Sequence, residues 1–329
     1  MASTTRQALL QALSAAEGAY ISGQQLAQQL GVSRAAVHKA AAALTAQGYA
    51  LEAASRRGYR LLGGDPFCTE AVGPYPAPVQ LYDTLESTNR TAKLLALEGT
   101  AHGTLVLAGG QTAGRGRLGR SWVNAEGKAL YYTVAIKEPL AQPATLPLLA
   151  SLAVRRQLQL RYGVDCQIKW PNDLLLNGKK IVGILCESVS YGYQQQGRGI
   201  LCGIGINLAQ PQSYFDAADL PHGTSLALQG ATVDLSTDPA WLAEGLTDFG
   251  FDRSLYTFAR DGFAPFREEY KAACINLGRR VTFDLPDGSQ GAGEAVDVDA
   301  EGRLVVRTDA GEQHVFTGEV SVHGIYGAV

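Results

Sequence analysis

The segment QTAGRGRLGRSW, from Gln111 to Trp122, holds three arginines and three glycines within twelve residues. Its glycines, Gly114, Gly116 and Gly119, have the G-x-G-x-x-G spacing of a dinucleotide-binding loop, which requires a helix to begin at the last glycine. The chain continues instead with ALYYTVAI at 129–136, an aromatic and β-branched run that predicts a strand. The segment therefore predicts a loop between two strands rather than a Rossmann fold.

The arginines of this segment, Arg115, Arg117 and Arg120, indicate what the loop binds. Dinucleotide loops rely mainly on backbone N–H groups, whereas a guanidinium group suits a carboxylate or phosphate held by two hydrogen bonds. We therefore expect an anion-binding loop. A solvent-exposed basic turn is the alternative interpretation, since such turns are common on protein surfaces.

The composition is that of an ordinary globular protein. The chain has 329 residues, of which 46% are hydrophobic, and this length suits about two or three domains. We find no apolar run of the ~20 residues that span a membrane and no secretory signal, so we expect a cytoplasmic protein without membrane contact. The cysteines include no C-x-x-C pair and favour small buried residues over a disulfide or zinc framework; they are Cys68, Cys166, Cys186, Cys202 and Cys274.

Residues 1–64 predict a winged helix. Ser22 and Gln25 have the spacing of a capping box at the start of a second helix, and Ser33 caps a third. The segment YALEAASRRGYRLL at 49–62 alternates apolar and polar residues on both sides of a basic turn, which predicts a two-stranded wing. Two helices joined by a short glycine turn and followed by a wing are typical of DNA-binding domains.

The charge of this domain agrees with that interpretation. Residues 1–64 carry six basic and two acidic side chains, whereas the whole chain has a net charge of −3. A basic domain on an acidic chain favours a nucleic-acid partner for that domain. A structural or protein-docking winged helix is the alternative. The candidate DNA-contacting residues are Ser33, Arg34, Ala35, His38, Lys39, Arg56 and Arg57.

The segment VQLYDTLESTNRTAKLLALEG, at 79–99, predicts a strand followed by a helix that is entered at Ser87 or Thr88. The local pattern of Ser87, Thr88 and Asn89 is that of a helix N-cap. We therefore interpret these residues locally as a cap, with ligand binding as the alternative.

A hairpin is predicted around Asn177-Gly178, because this dipeptide is the strongest short-range signal for a two-residue type I′ turn. The turn sets the expected register, and alternate residues of a strand share a face. Asp173 and Lys180 are then expected diagonally on one face, with Lys179 on the other. The expected pairs are Leu176 with Lys179, Leu175 with Lys180, and Asp173 with Val182. A surface hairpin with ordinary flanking charges is the alternative.

The remainder of the chain predicts further elements. GILCGIGINL at 199–208 reads as a buried strand whose Gly203 and Gly205 permit close approach of a ligand or backbone. Residues 209–223 show no periodicity and are expected to form a mobile loop that serves as a lid. Residues 238–272 are expected to be helical, with Leu242, Leu246, Phe249 and Phe258 as core candidates. From Asn276 onward about five short strands separated by glycine turns predict a small β-barrel.

With QTAGRGRLG, KWPNDLLL, KKIVGILCE and GIGIN in this order behind a winged helix, the chain resembles the bacterial biotin protein ligases that also repress the biotin operon, the BirA family. The resemblance extends over nearly the full length and includes SRAAVHK, RRGYRL and GEVSV. It implies an α+β protein of three domains. These are a winged helix-turn-helix at 1–64, a class II synthetase-like biotin ligase domain with a mixed β-sheet and helices at 65–274, and an SH3-like β-barrel at 275–329.

The resemblance also implies the reaction and the partners. ATP and biotin would form biotinyl-5′-AMP, and biotin would then pass to a lysine of the biotin carboxyl carrier protein of acetyl-CoA carboxylase. Magnesium would be bound through the ATP phosphates, without ligands from the protein. The expected partners are the carrier protein, operator DNA, and a second copy of the chain when biotinyl-AMP is bound.

Specific residues follow from the matching motifs. The catalytic residues implied are Lys180, Arg117 and Asp173. The implied biotin site consists of Ser87, Thr88, Asn89, Gln111, Gly114, Arg115, Gly116, Arg117, Lys180, Gly183 and Gly203. The implied adenylate site consists of Arg117, Trp122, Lys169, Asn172, Lys180 and Asn207.

Two departures from the family pattern and two alternatives remain open. The family usually has an arginine where this chain has His323, and the expected aromatic lid residue corresponds here to Tyr214 or Phe215. A lipoate ligase is one alternative, although the chain lacks an RRxxGGG motif. A ligand-sensing winged-helix regulator without ligase activity is the other.

Overall fold

The computed structural model describes residues 5–16, 18–46, 49–63, 77–123, 125, 128–137, 139–191, 197–234, 253–285, 289–316, 320–322 and 325. The chain divides into two compact units, one containing the described residues up to 63 and the other those at 77–233 and 253–325. Cys68, Leu242, Leu246, Phe249, His323 and most of the GGDPF segment lie outside the described residues.

The first unit is the predicted winged helix. Its elements are α1 (Thr5–Ala15), α2 (Gly23–Leu30), α3 (Arg34–Ala46), β1 (Ala50–Ala54) and β2 (Gly58–Gly63). Ser22 and Gln25 form the predicted capping box, and the Ser33 hydroxyl accepts from the Ala36 N–H at 3.1 Å. The core of this unit is formed by apolar side chains at helical spacing, among which Leu13, Leu26 and Leu44 are fully buried.

The second unit is built on a seven-stranded mixed sheet. Its strands are β3 (Val79–Leu85), β4 (Leu105–Gln111), β7 (Ala129–Ile136), β8 (Gln167–Lys169), β9 (Asp173–Leu176), β10 (Lys179–Tyr191) and β11 (Gly197–Asn207), with β5 (Gly114–Arg115) and β6 (Ser121–Trp122) as a small separate ribbon. The strand order is β3-β4-β7-β11-β10-β9-β8. β3 and β4 are parallel and the other neighbours are antiparallel, as a mixed sheet requires. All residues of β4 and β7 are buried, so both strands that flank the arginine segment belong to the core.

Helices accompany this sheet. They are α4 (Thr88–Leu97), α5 (Leu146–Tyr162), α6 (Gln212–Ala217), α7 (Arg253–Asp261) and α8 (Arg267–Ala273). Phe258 in α7 is fully buried, as predicted. α5 ends at Gly163, whose φ of 66° is the left-handed conformation that glycine adopts most easily. None of the described helices is long and apolar enough to cross a membrane.

The hairpin between β9 and β10 has the predicted turn. Asn177 and Gly178 have φ angles of 50° and 75°, and a type I′ turn requires positive φ at both positions. The two pairs next to the turn have the predicted register: Leu176 with Lys179 and Leu175 with Lys180.

The register changes one step further from the turn. A β-bulge between Lys180 and Val182 places an extra residue on β10 opposite β9. The predicted pairing of Asp173 with Val182 is therefore wrong, and Asp173 pairs with Gly183. The bulge keeps Asp173 and Lys180 together, with Lys180 Nζ 2.7 Å from Asp173 Oδ1.

The C-terminal part of this unit is the predicted set of five short strands. They are β12 (Arg280–Asp284), β13 (Gln290–Val298), β14 (Leu304–Thr308), β15 (Gly311–Val315) and β16 (Val320–Val322), paired antiparallel throughout. Lys271 of α8 reaches Asp297 at 2.9 Å. The Trp170 indole donates to the Gly302 carbonyl at 3.0 Å, so the small sheet is attached beside the end of β8.

The expectation of a loop without regular structure at residues 209–223 is wrong. The lack of periodicity at 209–223 predicts a mobile loop, but this segment contains α6 and buries Phe215.

The four described cysteines are free thiols, as expected, and three of them are buried. Burial raises the pKa of Cys166 and of Cys274 to about 12, which suppresses the reactive thiolate form.

Candidate active site

A cavity of about 360 Å³ lies on one face of the seven-stranded sheet. Its walls come from the start of α4, the arginine loop (Gly114–Arg120), β6, and the middle of β10 and β11. The segment that follows α6 covers it. Its described lining residues include Ser87, Thr88, Asn89, Gln111, Arg115, Gly116, Arg117, Trp122, Lys169, Asn172, Asp173, Lys180, Gly183, Gly203, Gly205 and Asn207.

One end of the cavity, which we call the inner end, consists of Ser87, Thr88, Asn89 and Gln111. All four side chains belong to buried residues. Gln111 Oε1 accepts from the Thr88 backbone N–H at 2.7 Å and from the Thr88 hydroxyl at 3.1 Å. The inner end is thus lined by neutral polar groups whose positions are fixed by one another.

Ser87 does not act as the expected cap. It occupies the N-cap position of α4 with extended backbone angles, but its side chain makes no capping hydrogen bond. The local interpretation as a cap alone is therefore wrong. The Thr88 N–H, the first of the helix, donates to Gln111 Oε1 of β4, and Ser87 lines the cavity beside it.

Asn89 connects the inner end to the sheet. Its Oδ1 accepts from the Thr133 hydroxyl at 2.6 Å, and its Nδ2 donates to the Leu185 carbonyl at 3.2 Å and to Glu187 Oε2 at 2.7 Å. Glu187 Oε1 lies 3.5 Å from Arg115 Nη2 of the arginine loop. A buried amide and an exposed guanidinium therefore share one carboxylate.

Glycines form the floor of the cavity. Gly183 and Gly205 are directly opposed on β10 and β11, and the Trp122 ring lies over this pair. A Cβ atom on Gly205 would lie 2.9 Å from Trp122 Cε2, and one on Gly203 would overlap Asn89 Oδ1. Gly203 and Gly205 are closely approached, but by the side chains of Asn89 and Trp122 rather than by the expected ligand or backbone.

A second part of the cavity lining, which we call the cationic end, contains Arg117 and Lys180. Arg117 Nη1 donates to Asn172 Oδ1 at 3.0 Å, and Asn172 Nδ2 donates to the Ile184 carbonyl at 2.8 Å. Lys180 Nζ contacts Asp173 and lies 5.4 Å from the centroid of the Trp122 ring. A guanidinium group and an ammonium group thus line this part of the cavity, which suits a phosphate or carboxylate ligand.

The segment after α6 is attached to this end. The Lys180 N–H donates to the His222 carbonyl at 2.8 Å, and the Thr224 N–H donates to the Lys180 carbonyl at 3.0 Å. The Tyr214 hydroxyl donates to the Val123 carbonyl at 2.9 Å. Burial raises the pKa of Tyr214 to about 12, so this hydroxyl remains a donor at neutral pH.

Every residue expected in the biotin and adenylate sites lines this cavity except Gly114. Gly114 is buried in β5, where an added Cβ would lie 2.6 Å from the Trp122 carbonyl and 3.0 Å from Gln111 Nε2. It therefore supports the lining rather than forming it. Sequence reasoning missed Val320 of β16, which lies far from the motifs and carries no pattern of its own, whereas residues 219–223 belong to the segment expected to act as a lid.

The candidate DNA-contacting residues belong to the first unit. Ser33, Arg34, Ala35, His38, Lys39, Arg56 and Arg57 are all exposed. The Arg57 guanidinium lies 3.9 Å from the centroid of the Tyr20 ring, a cation–π contact that restricts its motion. His38 Nδ1 is 3.1 Å from the Tyr59 hydroxyl, so the helix and the wing are joined next to these side chains.

Three family models match the chain. The HTH domain model matches residues 5–60, the Biotin/lipoate A/B protein ligase family model matches residues 81–207, and the Biotin protein ligase C terminal domain model matches residues 277–322. They follow one another in the order of the predicted domains, and the second contains most of the cavity lining.

The full-length relatives decide the family. The chain is 32% identical to the "Bifunctional ligase/repressor BirA" of Bacillus subtilis, over 98% of this chain and 100% of that protein. The chain belongs to the BirA family. Its similarity also extends to the "Biotin--[acetyl-CoA-carboxylase] ligase" of Paracoccus denitrificans, at 35% identity over 73% of this chain and 98% of that protein. The resemblance inferred from the motifs, including the ligase class and the DNA-binding domain, is confirmed.

A solved structure agrees with the BirA family assignment. The biotin protein ligase from Aquifex aeolicus in complex with biotin and ATP has a TM-score of 0.60 and 26% identity, over 75% of this chain and 98% of that one. The predicted fold class, with a helix-turn-helix domain, a mixed-sheet ligase domain and a C-terminal antiparallel sheet, is confirmed.

Proposed function

We propose that this protein activates biotin with ATP to form biotinyl-5′-AMP and then transfers biotin to a lysine of the biotin carboxyl carrier protein of acetyl-CoA carboxylase. The observation that carries the proposal is the presence of two unlike ends in one cavity. The inner end offers fixed neutral polar groups, and the cationic end offers Arg117 and Lys180. Biotin is likewise a molecule with a neutral ureido head and a carboxylate tail.

The first step requires two anions to meet. A carboxylate oxygen of biotin attacks the α-phosphorus of ATP, the bond to the β-phosphate breaks, and pyrophosphate leaves. We assign Lys180 to both the carboxylate and the α-phosphate, and Arg117 to the charge that develops on the phosphate. Fixed positive charge at such a position lowers the barrier by electrostatic stabilisation, without a covalent enzyme intermediate.

Biotin and the adenylate are assigned to different parts of the cavity. Ser87, Thr88, Asn89 and Gln111 surround the ureido head, while the arginine loop covers the chain and the carboxylate. Trp122, Lys169, Asn172 and Asn207 are assigned to the adenylate side. Closing the loop over the mixed anhydride would exclude the water that hydrolyses it.

The second step transfers biotin to the carrier protein. The acceptor lysine attacks the carbonyl carbon of the anhydride as a free amine, an amide forms and AMP leaves. We assign Asp173 to orienting this amine or taking up its proton. It is buried and held by Lys180 at 2.7 Å, so a proton accepted there would weaken the Lys180 contact.

Magnesium enters this proposal bound to the phosphates of ATP. The described residues contain no group of three or more His, Cys, Asp or Glu side chains arranged to hold a metal ion. Asp173 and Asp219 are the carboxylates among the described lining residues. When bound, the ion would neutralise phosphate charge next to Arg117 and Lys180.

We also propose that the first unit binds operator DNA and that two copies of the chain associate when biotinyl-AMP is bound. The support is the winged helix with seven exposed candidate contacts, five of which are basic or histidine side chains. The domain boundaries of this proposal remain 1–64, 65–274 and 275–329. Deletion of residues 1–64 is expected to abolish operator binding while pyrophosphate release continues. Retained operator binding would contradict the assignment.

Pyrophosphate release tests the ligase directly. The protein is mixed with ATP, magnesium and biotin, and we expect release that depends on biotin. Lipoate in place of biotin tests the lipoate ligase, and it is expected to give only the background rate. A protein that binds biotin without releasing pyrophosphate would be the regulator without ligase activity, and our proposal would then be wrong.

A further inference from the structure

Glu187 lies next to the cavity but is not among its described lining residues. It follows Gly183 and Leu185 on β10, and alternate residues of a strand share a face. Its side chain is about one-third exposed, at 33%. A glutamate at this place is not needed to satisfy the backbone of the sheet, so its side-chain contacts indicate its role.

The two carboxylate oxygens of Glu187 have different partners. Oε2 accepts from Asn89 Nδ2 at 2.7 Å, and Oε1 lies 3.5 Å from Arg115 Nη2. Asn89 belongs to the buried inner end, whereas the Arg115 side chain in the arginine loop is 51% exposed. Glu187 therefore connects the fixed part of the cavity to its exposed loop.

The Asn89 contact sets the orientation of the amide. A carboxylate only accepts hydrogen bonds, so Glu187 requires the Nδ2 side of Asn89 to face it. Both Nδ2 hydrogens then have acceptors, in Glu187 and the Leu185 carbonyl, and Oδ1 faces the Thr133 hydroxyl and Gly203. Glu187, the Leu185 carbonyl and the Thr133 hydroxyl thus fix the orientation of the Asn89 amide at the inner end.

The strength of the ion pair between Glu187 and Arg115 depends on its exposure to solvent. At 3.5 Å and half exposed, an ion pair contributes little, since solvent screens it. When a ligand and a closed loop exclude water from this pair, the attraction between the charges rises because the local dielectric constant falls, and the hydrogen bond from Asn89 to Glu187 offsets part of the cost of removing water. The arrangement favours a closed loop when the inner end is occupied.

We propose that Glu187 is a positioning residue that couples the inner end to the arginine loop, by orienting Asn89 and holding Arg115 with one carboxylate when the inner end is occupied. This inference rests on the proposed function, since biotin is the ligand of the inner end. A ligand shifts a conformational equilibrium only by its different affinity for the two states. Here the Glu187 contact to Arg115, already present at 3.5 Å, is the interaction that strengthens in the closed state.

Glu187→Gln tests the coupling selectively. The amide oxygen of glutamine still accepts from Asn89, whereas its NH₂ group and an uncharged side chain cannot hold a guanidinium group. Glu98→Gln is the matched control, because Glu98 is an exposed residue at the end of α4. Both variants are compared with the wild-type full-length protein, and their thermal unfolding midpoints verify that they fold.

The first measurement is trypsin cleavage in the arginine loop, with Arg115, Arg117 and Arg120 as cleavage sites. We expect biotin to slow this cleavage in the wild type and in Glu98→Gln. In Glu187→Gln the protection is expected to fall about fivefold, the effect of losing a half-exposed ion pair. Equal protection in Glu187→Gln and the wild type would overturn the inference and leave the proposed function intact.

The second measurement is the loss of preformed biotinyl-AMP in the absence of carrier protein. We expect this rate to rise about fivefold in Glu187→Gln, with a much smaller change in the maximal rate of pyrophosphate release. Arg115→Gln should raise the rate of biotinyl-AMP loss by at least the same factor, and adding Glu187→Gln to Arg115→Gln should not raise it further. Multiplied effects in the double variant would overturn the coupling. A wild type that neither binds biotin nor releases pyrophosphate would instead contradict the proposed function itself.

Discussion

The inner end of the cavity and the arginine loop are built in opposite ways. Thr88 and Asn89 are each only 4% exposed and hydrogen-bonded to residues of the sheet. In the loop, the side chain of Arg115 is 51% exposed, and Leu118 has 67% of its surface in solvent. One region is fixed by the core before any ligand arrives, and the other depends on few contacts.

This difference indicates that the inner end selects the ligand, whereas the arginine loop retains the reaction intermediate. A preorganised site loses little conformational entropy on binding, so the inner end can select a ligand by shape and hydrogen bonding. A loop that must become ordered contributes less to initial affinity, but it can cover a reactive intermediate after it forms. Substitutions in the two regions should therefore change different quantities.

The largest effect is expected at the cationic end. Lys180→Ala removes a positive charge from the reacting carboxylate and phosphate, and we expect pyrophosphate release to slow by about 100- to 1,000-fold. Biotin affinity, measured by calorimetric titration, should fall far less because the inner end is unchanged. Lys179→Ala is the matched control, since its side chain points to the other face of the hairpin. An unchanged rate for Lys180→Ala would refute this role.

A smaller effect is expected from a methyl group at the inner end. In Gly203→Ala the new Cβ overlaps Asn89 Oδ1, so the amide must leave its position. Biotin affinity should fall roughly 10- to 100-fold, because disturbing a buried hydrogen-bonded group costs about 1–3 kcal/mol. The thermal unfolding midpoint should also decrease. Wild-type affinity in this variant would show that the inner end is not preorganised through Asn89.

A glycine-to-alanine substitution in the arginine loop should change ligand affinity but not the stability of the free protein. A Cβ on Gly116 would lie 3.5 Å from the nearest atom, the Arg120 carbonyl oxygen, and Gly116 has a φ of −106°. Gly116→Ala should therefore leave the unfolding midpoint unchanged. If the loop closes onto the ligand, affinity for biotinyl-AMP should fall about tenfold, since overpacking costs about 1–3 kcal/mol. Unchanged affinity would exclude close approach at Gly116.

The smallest effect is expected at Tyr214, which attaches α6 to the chain next to Trp122. Tyr214→Phe removes the hydrogen bond to the Val123 carbonyl, and loss of biotinyl-AMP should accelerate about two- to tenfold. The folded pKa of about 12 exceeds the ordinary value of 10.0. The protonated hydroxyl therefore stabilises the fold below pH 10, and this contribution is lost as the pH rises toward 12. The wild type should lose more stability than Tyr214→Phe over that interval; parallel curves would contradict the assignment.

Features with local causes could be predicted from the sequence. Asn177 and Gly178 determine their turn by their own backbone preferences, and Ser22 caps α2 through a residue three positions away. The strand that follows the arginine loop could be predicted from its aromatic and β-branched residues. A Rossmann loop requires a helix at that point, so the strand alone excludes this fold.

Features with distant causes could not be predicted in the same way. The bulge after Lys180 depends on the pairing of two strands, and no residue in β10 marks it. Ser87 resembles a simple cap in the local sequence because the residues that complete the cavity around it, such as Gln111, are distant in sequence. Residues 209–223 lack periodicity since they are ordered by contacts with Lys180 and Val123. Glu187 resembles an ordinary strand residue for the same reason.

The position of Trp122 over Gly183 and Gly205 has a practical consequence. Its indole ring is part of the cavity wall and lies 5.4 Å from the Lys180 ammonium group. Indole emission depends on nearby charge and solvent, so a ligand that displaces water or pairs with Lys180 alters the light this residue emits. The protein thus contains its own fluorescent reporter in the wall of the proposed substrate cavity.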